Sequence, residues 1–287
     1  MEQEYIVENI NSFNLTHIFE CGQCFRWNKE PDNSYTGVIK DAVLNVKQEG
    51  NKIIFRGVSK KNIKDICTEY FDLNEDYENI KEKLSQIDEN MKNSIKYGNG
   101  IRILKQDLWE MIISFIISAN NNIPRIKGII ERICKKYGKE IIWGKNRFYT
   151  FPTPEELNKA SIEDLRGLGL GFRDVRVFET TKIIYSKKLD LDDLRKINDI
   201  ESLREKLLSL PGVGPKVADC IMLFSLKKLE VFPIDVWVRR VMSELYFNVE
   251  NSEVNIAPSK IQQLAKEKYG NLAGIAQQYL FYWRRAM

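Results

Sequence analysis

The chain contains few of the residues that hold metal ions. It has five cysteines, which are Cys21, Cys24, Cys67, Cys134 and Cys220. Cys21 and Cys24 have the spacing of a zinc or redox pair, but there is no second such pair and only one histidine, His17, so a four-ligand zinc site is excluded. No cysteine follows Cys220, which excludes an iron–sulfur cluster bound by four C-terminal cysteines. We interpret Cys21 and Cys24 as reduced residues that flank a tight turn.

Long apolar segments are also missing. The longest apolar run, residues 111–119, has nine residues and includes two serines, whereas a membrane-spanning helix needs about 20 apolar residues. The first residues are acidic and lack the apolar core of a secretory signal. We therefore expect an intracellular protein, cytoplasmic and at the nucleoid if the source is bacterial, with no membrane partner.

The composition is that of an ordinary globular protein, but the charge is unevenly divided. Of the 287 residues, 43% are apolar and 29% are charged, which suits a chain with a substantial core. Residues 1–95 carry 12 Lys/Arg against 17 Asp/Glu, whereas residues 96–287 carry 32 against 23. The C-terminal part is thus basic, as a phosphate-binding surface requires, although any single lysine is more often a solvated side chain.

Two hydrophobic patterns divide the chain. Residues 1–95 contain short alternating segments separated by polar turns, which predicts an antiparallel meander followed by helices. From about residue 106 the apolar period becomes 3.6. The predicted strands are 25–27, 35–39, 42–46 and 53–55, and the predicted helices are 60–71, 76–88, 109–117, 125–137, 154–158, 161–167, 172–187, 200–209, 216–226, 236–245, 259–268 and 272–285. The fold class is α+β, with an N-terminal antiparallel sheet domain, residues 1–95, packed on a helical region, residues 96–287.

A glycine-rich hairpin, Leu-Pro-Gly-Val-Gly-Pro-Lys at residues 210–216, joins two of these helices. Gly212 and Gly214 allow a tight turn and bring backbone N–H groups close to a ligand, and the N-terminus of the following helix is suited to phosphate. Lys216 lies in the first turn of that helix, 19 residues before Asp235. An amine beside a carboxylate suits covalent amine chemistry on a nucleic-acid sugar. By spacing alone, Lys216 is equally well a phosphate contact and Asp235 a helix cap.

The hairpin followed by Pro-Ile-Asp-Val resembles the helix-hairpin-helix and Gly/Pro-Asp signature of the base-excision DNA glycosylase superfamily. Four further stretches are similar to the 8-oxoguanine DNA glycosylases: Gly-Gln-Cys-Phe-Arg-Trp at 22–27, Asn-Asn-Asn-Ile-Pro-Arg-Ile at 120–126, Leu-Gly-Leu-Gly-Phe-Arg at 168–173 and Ala-Gln-Gln-Tyr-Leu-Phe at 276–281. The missing C-terminal cysteines argue against the cluster-bearing branches that resemble endonuclease III and the adenine glycosylases. The resemblance implies a TBP-like sheet domain, a helix-hairpin-helix at about 203–226, and DNA bound between two helical subdomains.

The resemblance also implies a chemistry for the hairpin. Lys216 would attack C1′ of the damaged nucleotide, form a Schiff base and allow β-elimination of the 3′ phosphate. Asp235 would stabilise the cationic sugar and help to move protons. No cofactor is required, although the carbonyls of residues 210–213 offer a place for a cation.

A pocket for the extruded base follows from the same resemblance. The carbonyl of Gly22 would accept from the N7–H group that distinguishes 8-oxoguanine from guanine. Gln277 would read the Watson–Crick edge, Phe281 would stack on one face of the base, and Cys220 would lie against the other.

The resemblance assigns a further set of residues to the DNA, in addition to Gly212 and Gly214 of the hairpin. Asn120, Arg125, Phe172 and Arg173 match segments that fill the hole left by the base and contact its former partner. Arg125 would donate to the acceptor edge of cytosine. Phe172 replaces the usual tyrosine, and Trp237 stands where eukaryotic members have a phosphate-contacting histidine, which leaves that contact and the opposite-base preference open.

The predicted function is that of a bifunctional 8-oxoguanine DNA glycosylase and abasic-site lyase, acting as a monomer on double-stranded DNA that contains 8-oxoguanine. One alternative is a monofunctional alkylpurine DNA glycosylase, which shares the sheet and the catalytic aspartate but lacks the lysine. The other is a non-catalytic DNA-binding protein that uses the helix-hairpin-helix only to hold phosphate.

Overall fold

The computed structural model describes residues 2–247 and 256–285. Its N-terminal part is an antiparallel sheet with the strand order β1-β5-β4-β3-β2. The strands are β1 Glu2–Val7, β2 Trp27–Lys29, β3 Tyr35–Ile39, β4 Ala42–Glu49 and β5 Lys52–Val58. The predicted α+β class and the meander are confirmed, but β1 was not predicted. It pairs with β5 from Glu2 opposite Val58 to Val7 opposite Ile53, and its alternating acidic residues are typical of an edge strand.

Aromatic side chains fill the space between this sheet and the first helices. The rings of Phe19 and Trp27 stack with their centroids 4.4 Å apart. The indole N–H of Trp27 donates to the hydroxyl of Tyr70 at 2.9 Å, so this fully buried tryptophan leaves no donor unsatisfied. Phe71 packs on the same cluster and is itself fully buried. The sheet domain therefore has its own core.

The remainder of the chain is mostly helical. The helices are α1 Leu15–Glu20, α2 Ile63–Tyr70, α3 Tyr77–Ser85, α4 Glu89–Tyr97, α5 Leu108–Ser118, α6 Ile123–Tyr137, α7 Pro154–Leu157, α8 Ile162–Gly167, α9 Asp174–Tyr185, α10 Leu191–Lys196, α11 Ile200–Leu208, α12 Pro215–Leu226, α13 Val236–Tyr246, α14 Pro258–Tyr269 and α15 Ala273–Arg285, with 3₁₀ turns at Gly171–Arg173 and Gly270–Leu272. Within the part of the chain that the structure describes, no helix combines the length and the apolar character needed to cross a membrane.

Several local elements differ from the sequence-based prediction. The helix predicted at 76–88 ends at Ser85, because the Asp88 carboxylate accepts from the N–H of Met91 at 2.8 Å and begins α4 instead. The short helices α1 and α10 were not predicted. Residues 140–149 form a two-stranded hairpin, β6 Glu140–Trp143 and β7 Asn146–Tyr149, where no strand was predicted.

Three helices of the large core position the site. Ten of the eleven residues of α5 are buried, and this helix packs on α12 through Phe115 and Phe224, whose rings stack 5.6 Å apart. The C-terminal helix α15 packs on α4 and α13. Helices α5, α12 and α15 meet beside the loop at residues 21–26, which joins α1 to β2 within the sheet domain.

Candidate active site

A single cavity brings together residues that are as much as 260 positions apart in sequence. Its lining residues are Cys21, Gly22, Phe115, Lys216, Cys220, Phe224, Pro233, Asp235, Gln277, Gln278 and Phe281. All six residues predicted for catalysis and for the base pocket are among them. The cavity measures about 40 Å³, which holds water but is far below the roughly 300–1,000 Å³ of ligand pockets. In this conformation the site is assembled but too narrow to hold a base.

Lys216 lies in the first turn of α12, where Gly214 is the N-cap and Pro215 the first helical residue. Proline suits that position because its missing N–H would have no partner there. The first N–H groups of the helix have no intrahelical partners, and Gly214 supplies no side-chain cap. The half-buried Lys216 places Nζ 5.2 Å from the centroid of the Phe115 ring. The amine thus lies against an aromatic wall beside an uncapped helix N-terminus.

The two hairpin glycines, Gly212 and Gly214, differ in backbone conformation and in the space around their Cβ positions. Gly212 has a φ of +85°, and a Cβ atom on it would lie 2.9 Å from Cδ of Arg176. Gly214 has a φ of −98°, which any residue adopts, and its Cβ position faces open space. The turn itself therefore requires glycine only at residue 212, contrary to the expectation for both. The open space before Gly214 leaves room for a phosphate, and DNA binding at either glycine stays a prediction.

Cys220 lies one turn after Lys216 and is buried. Burial raises the pKa of its thiol to about 11, an effect that outweighs the opposing influence of the Lys216 ammonium. At neutral pH the thiol is protonated and therefore a poor nucleophile. Cys220 consequently serves as an uncharged part of the cavity wall.

Asp235 is the N-cap of α13, and its Oδ1 accepts from the N–H of Val238 at 2.8 Å. The structural role expected from the sequence is thus present. The same half-buried carboxylate lines the cavity with Lys216. Because the cap fixes one carboxylate oxygen, the group is held in one orientation toward the cavity.

Gly22 forms the cavity wall that comes from the sheet domain. Its φ of +83° strains any other L-residue, and a Cβ atom would lie 3.4 Å from Cε1 of Phe281. The neighbouring Gln23, which is fully buried, holds this loop in place. Its Nε2 donates to the carbonyls of Ile18 at 2.9 Å and Arg102 at 2.8 Å, and its Oε1 accepts from the N–H of Leu104 at 2.9 Å. The backbone at Gly22 is therefore set by an amide that sequence reasoning did not single out.

Two residues of α15, one turn apart, complete the cavity. Gln277 is 4% exposed, and its Oε1 accepts from Nε2 of Gln278 at 2.7 Å. The half-buried ring of Phe281 lies against Gly22 and covers it. The buried amide of Gln277 has the partner that its burial requires, but that partner is a neighbouring side chain that was not predicted.

The residues predicted to contact the opposite base form a connected group at the end of α5. Asn120 is exposed, and its backbone has a left-handed conformation with a φ of 51°. Phe172 is 55% exposed, with the guanidinium carbon of Arg173 4.2 Å from its ring centroid. Nη2 of the exposed Arg125 approaches the carbonyl of Gly169 at 3.5 Å. Asn120, Phe172 and Arg125 thus present side chains to solvent, as DNA contacts must.

Arg173 differs from the other members of that group because it is only 1% exposed. Its Nε and Nη2 donate to the carbonyl of Ala119 at 2.8 and 2.6 Å, and Nη2 also donates to that of Asn120 at 2.6 Å. In this conformation Arg173 fixes the turn that carries Asn120 and offers no exposed donor to DNA. Its direct contact with DNA stays a prediction.

Trp237 is 49% exposed and lies two residues after Asp235, with the guanidinium carbon of Arg240 5.4 Å from its ring. Trp237 lies in the first turn of α13. Its contact with the phosphate backbone of DNA stays a prediction. Phe115, Phe224 and Gln278 line the cavity without having been predicted. Phe115 and Phe224 lie in apolar helices, where an aromatic residue gives no signal that separates a cavity wall from ordinary core.

Comparison with known proteins assigns both halves of the chain to families. Residues 5–112 match the family model for the 8-oxoguanine DNA glycosylase N-terminal domain, and residues 113–270 match that for HhH-GPD superfamily base excision DNA repair proteins. The junction of these matches lies inside α5, whereas the sequence pattern placed the boundary at residue 95, which stays a prediction. The probable N-glycosylase/DNA lyase of Methanothermobacter thermautotrophicus is 34% identical over 246 residues, which cover 78% of this chain and 75% of the relative.

Two solved structures are similar over nearly the whole chain. The structure of MBOgg1 in complex with a low-affinity DNA ligand superposes with a TM-score of 0.94 at 44% identity, covering 99% of this chain and 96% of that one. The 8-oxoguanine glycosylase/lyase of Clostridium acetobutylicum, in complex with double-stranded DNA containing cytosine opposite 8-oxoguanine, superposes with a TM-score of 0.93 at 40% identity. That comparison covers 100% of this chain and 98% of the other. The similarity therefore includes the sheet domain, the hairpin and the C-terminal helix.

Proposed function

Because the chain belongs to the HhH-GPD superfamily of base excision DNA repair proteins, in its 8-oxoguanine DNA glycosylase branch, we propose that it is a DNA N-glycosylase and abasic-site lyase. It excises 8-oxoguanine from duplex DNA and then cleaves the backbone by β-elimination. One observation carries this proposal: the amine of Lys216, the carboxylate of Asp235 and the base-recognition residues Gly22 and Gln277 border the same cavity.

Excision begins with the amine of Lys216. Its lone pair forms a bond to C1′ of the damaged nucleotide while the bond from C1′ to the base breaks, and the electron pair of that bond leaves with the base. Positive charge develops on the sugar during this exchange. The Asp235 carboxylate, held by the N–H of Val238 at 2.8 Å, is placed to stabilise that charge without reorienting.

Strand cleavage follows from the covalent bond. The ring oxygen of the sugar leaves C1′ and takes a proton, which produces a Schiff base between C1′ and Lys216. Loss of a proton from C2′ then expels the 3′ phosphate, and hydrolysis of the Schiff base releases the enzyme. These steps move protons and electron pairs only, so they require no cofactor.

The hairpin offers two further binding sites, one for a phosphate of the DNA backbone and one for a cation. The uncapped N-terminus of α12 suits a phosphate, which would lie beside the nucleotide that Lys216 attacks. We also keep the proposal of a cation at the carbonyls of residues 210–213. The carbonyl of Leu210 accepts from the N–H of Val213 at 3.1 Å, and that of Pro211 accepts from the hydroxyl of Thr180 at 3.0 Å. Each carbonyl oxygen retains a second lone pair for a cation.

Recognition requires the narrow cavity to widen. We propose that the ring of Phe281, which covers Gly22 in this conformation, moves to stack on the incoming base. The carbonyl of Gly22 then accepts from N7–H, the Gln277 amide reads the Watson–Crick edge, and the neutral Cys220 thiol lies against the other face. On the opposite strand, Phe172 fills the vacated space while Arg125 and Asn120 contact the orphaned base.

Both alternatives leave part of the site unexplained. A monofunctional alkylpurine glycosylase uses water as the nucleophile and has no need of Lys216 at the cavity. A non-catalytic hairpin module needs neither Asp235 nor a cavity that the sheet domain helps to close. We therefore prefer the bifunctional enzyme.

Borohydride reduction tests the proposal, because it converts a Schiff base into a stable covalent bond. We expect the purified protein to become trapped on a duplex with 8-oxoguanine opposite cytosine, and not on the same duplex with guanine. Release of 3-methyladenine without trapping would indicate the alkylpurine enzyme, and duplex binding without excision would indicate the non-catalytic module. We further propose that the protein acts as a monomer on DNA inside the cell, at the nucleoid in a bacterium; sedimentation of the free and DNA-bound protein checks the first point.

A further inference from the structure

Gln278 stands out among the residues of the cavity because its polar side chain is buried and only half satisfied. It is 4% exposed. Its Nε2 donates to Oε1 of Gln277 at 2.7 Å. Its own Oε1 is fully buried and has no hydrogen-bond partner among the described residues. A buried acceptor without a partner costs roughly 1–3 kcal/mol, so an apolar residue would be more favourable here if stability alone were at stake.

The hydrogen bond from Gln278 fixes which way the Gln277 amide faces. A glutamine amide can be reversed by half a turn, which exchanges its donor and acceptor groups. With Gln278 in the orientation that the structure shows, its Nε2 donates to Oε1 of Gln277, and reversing the Gln277 amide alone would place two N–H groups against each other. In that arrangement Gln277 keeps its oxygen toward Gln278 and its NH₂ group on the other side.

The fixed orientation matches a guanine-type base. The Watson–Crick edge of 8-oxoguanine has one acceptor, O6, followed by two donors, N1–H and the 2-amino group. Gln277 can donate to the acceptor and accept from one donor, which leaves the second donor without an amide partner. Gln278 lines the same cavity, and its Oε1 is an acceptor without a partner among the described residues that could serve this second donor.

We propose that Gln278 is a specificity-determining residue of the base pocket: it orients the Gln277 amide, and its buried Oε1 accepts from the 2-amino group of the extruded base. This inference rests on the proposed excision of 8-oxoguanine. The two adjacent glutamines recognise the base together, and this recognition requires both of its donors, N1–H and the 2-amino group. A base with the same oxidised ring but without the 2-amino group is then a poor substrate.

The test compares two duplexes that differ by that amino group alone, with 8-oxoguanine or 8-oxohypoxanthine opposite cytosine. Single-turnover excision is measured for the wild-type protein, for Gln278→Met and for the matched control Gln263→Met, since Gln263 is exposed on α14. We expect the wild-type and control proteins to excise 8-oxoguanine roughly 5- to 100-fold faster than 8-oxohypoxanthine, the range for one buried hydrogen bond. Gln278→Met should lose most of this preference by slowing excision of 8-oxoguanine, while cleavage at preformed abasic sites changes less than about twofold.

Other outcomes distinguish the role of Gln278 from the excision of 8-oxoguanine on which that role depends. Equal slowing of both bases by Gln278→Met, or an unchanged preference, would overturn the role of Gln278 and leave the enzyme's function intact. A wild-type protein that releases neither base and is not trapped by borohydride would overturn the function itself. If Gln278→Met does not fold, Gln278→Asn provides the second variant, because its shorter amide cannot keep both contacts and should reduce the same preference.

Discussion

The guanidinium of Arg173 donates to the backbone carbonyl of Asn120 at 2.6 Å, so a buried cation holds the turn that presents this exposed asparagine. Arg173→Lys retains the charge but not the forked set of donors. We expect the variant to lose about 1–3 kcal/mol of unfolding free energy and to bind damaged duplex more weakly. Thermal melting and fluorescence anisotropy measure the two effects. Arg147→Lys, at an exposed position of β7, should change stability by less than about 0.5 kcal/mol, and equal losses in both variants would contradict this role.

Lys216→Gln should abolish base excision, strand cleavage and borohydride trapping while damaged duplex still binds. The amide of glutamine has no lone pair suited to attack C1′. Lys64 provides a matched control, since it is exposed at the second position of α2, the position that Lys216 has in α12. Lys64→Gln should retain full activity. Residual trapping of Lys216→Gln would identify another amine as the nucleophile.

Asp235→Asn should slow excision by roughly 10²- to 10⁴-fold, the usual effect of losing a positioned acid–base group. The fold should be unaffected, because asparagine caps helices about as well as aspartate. Asp235→Ala should show the same loss of rate and an additional loss of about 1 kcal/mol in stability from the missing cap. Single-turnover rates and melting temperatures distinguish the two variants. An Asn variant that is unstable yet catalytically normal per folded molecule would make Asp235 a structural residue.

Gly22→Ala should weaken excision of 8-oxoguanine by about one to two orders of magnitude, because the new methyl group displaces the carbonyl or crowds Phe281. Cleavage at preformed abasic sites, which needs no base in the pocket, should change much less. Gly144→Ala is the matched control: its φ of +60° imposes a similar backbone strain, but nothing lies within 4 Å of its Cβ position. Wild-type excision by Gly22→Ala would show that the pocket is assigned wrongly.

The contribution of Glu110 to stability should fall as the pH rises from about 4.5 to 7, whereas His17, whose pKa burial lowers, acts in the opposite direction in part of this range. Burial raises the pKa of Glu110 to about 7, although Arg26 lies 3.7 Å away and acts in the opposite direction. The folded protein therefore retains a proton that the unfolded chain has already released, and each pH unit in this interval disfavours folding. The total effect is on the order of 3 kcal/mol. In denaturant unfolding across this pH range, the unfolding free energy of the wild type should fall relative to that of Glu110→Gln as the pH rises, and parallel pH profiles of the two proteins would contradict the role of Glu110.

The parts of the site that sequence could predict are those with a local signature. The hairpin at residues 210–216 lies between two periodic helices, and Pro233 and Ile234 precede a carboxylate at a helix start, so Lys216 and Asp235 could be singled out by residue type and spacing. The resemblance added Gly22 and Gln277, which the structure brings to the same cavity. Periodicity likewise predicted the meander and most helices.

What escaped prediction depends on contacts between distant residues. Two of the carbonyls that accept from Arg173, those of Asn120 and Ala119, lie 53 and 54 residues away, and no pattern around Arg173 distinguishes a buried arginine from a DNA-binding one. Strand β1 is defined by its pairing with β5, since its own alternation is weak and acidic. The end of the helix predicted at 76–88 depended on a single Asp88 cap. The sequence around Gln278 gives no sign of its burial or of its hydrogen bond to Gln277.

The hydrogen bonds of Gln23 connect the sheet domain to the helical region. Gln23 bonds to Arg102 and Leu104, and its carbonyl accepts from Nε2 of Gln106 at 2.7 Å. The backbone N–H of Gln106 in turn donates to the carbonyl of Phe224 at the end of α12, at 2.8 Å. Local melting of the sheet domain would remove Gly22 from the cavity and break the bonds that connect the domain to α12, the helix that carries Lys216. We therefore expect the base pocket and the helix that carries the amine to be lost together, so that partial unfolding does not produce a lyase that cleaves DNA wherever a base is already missing.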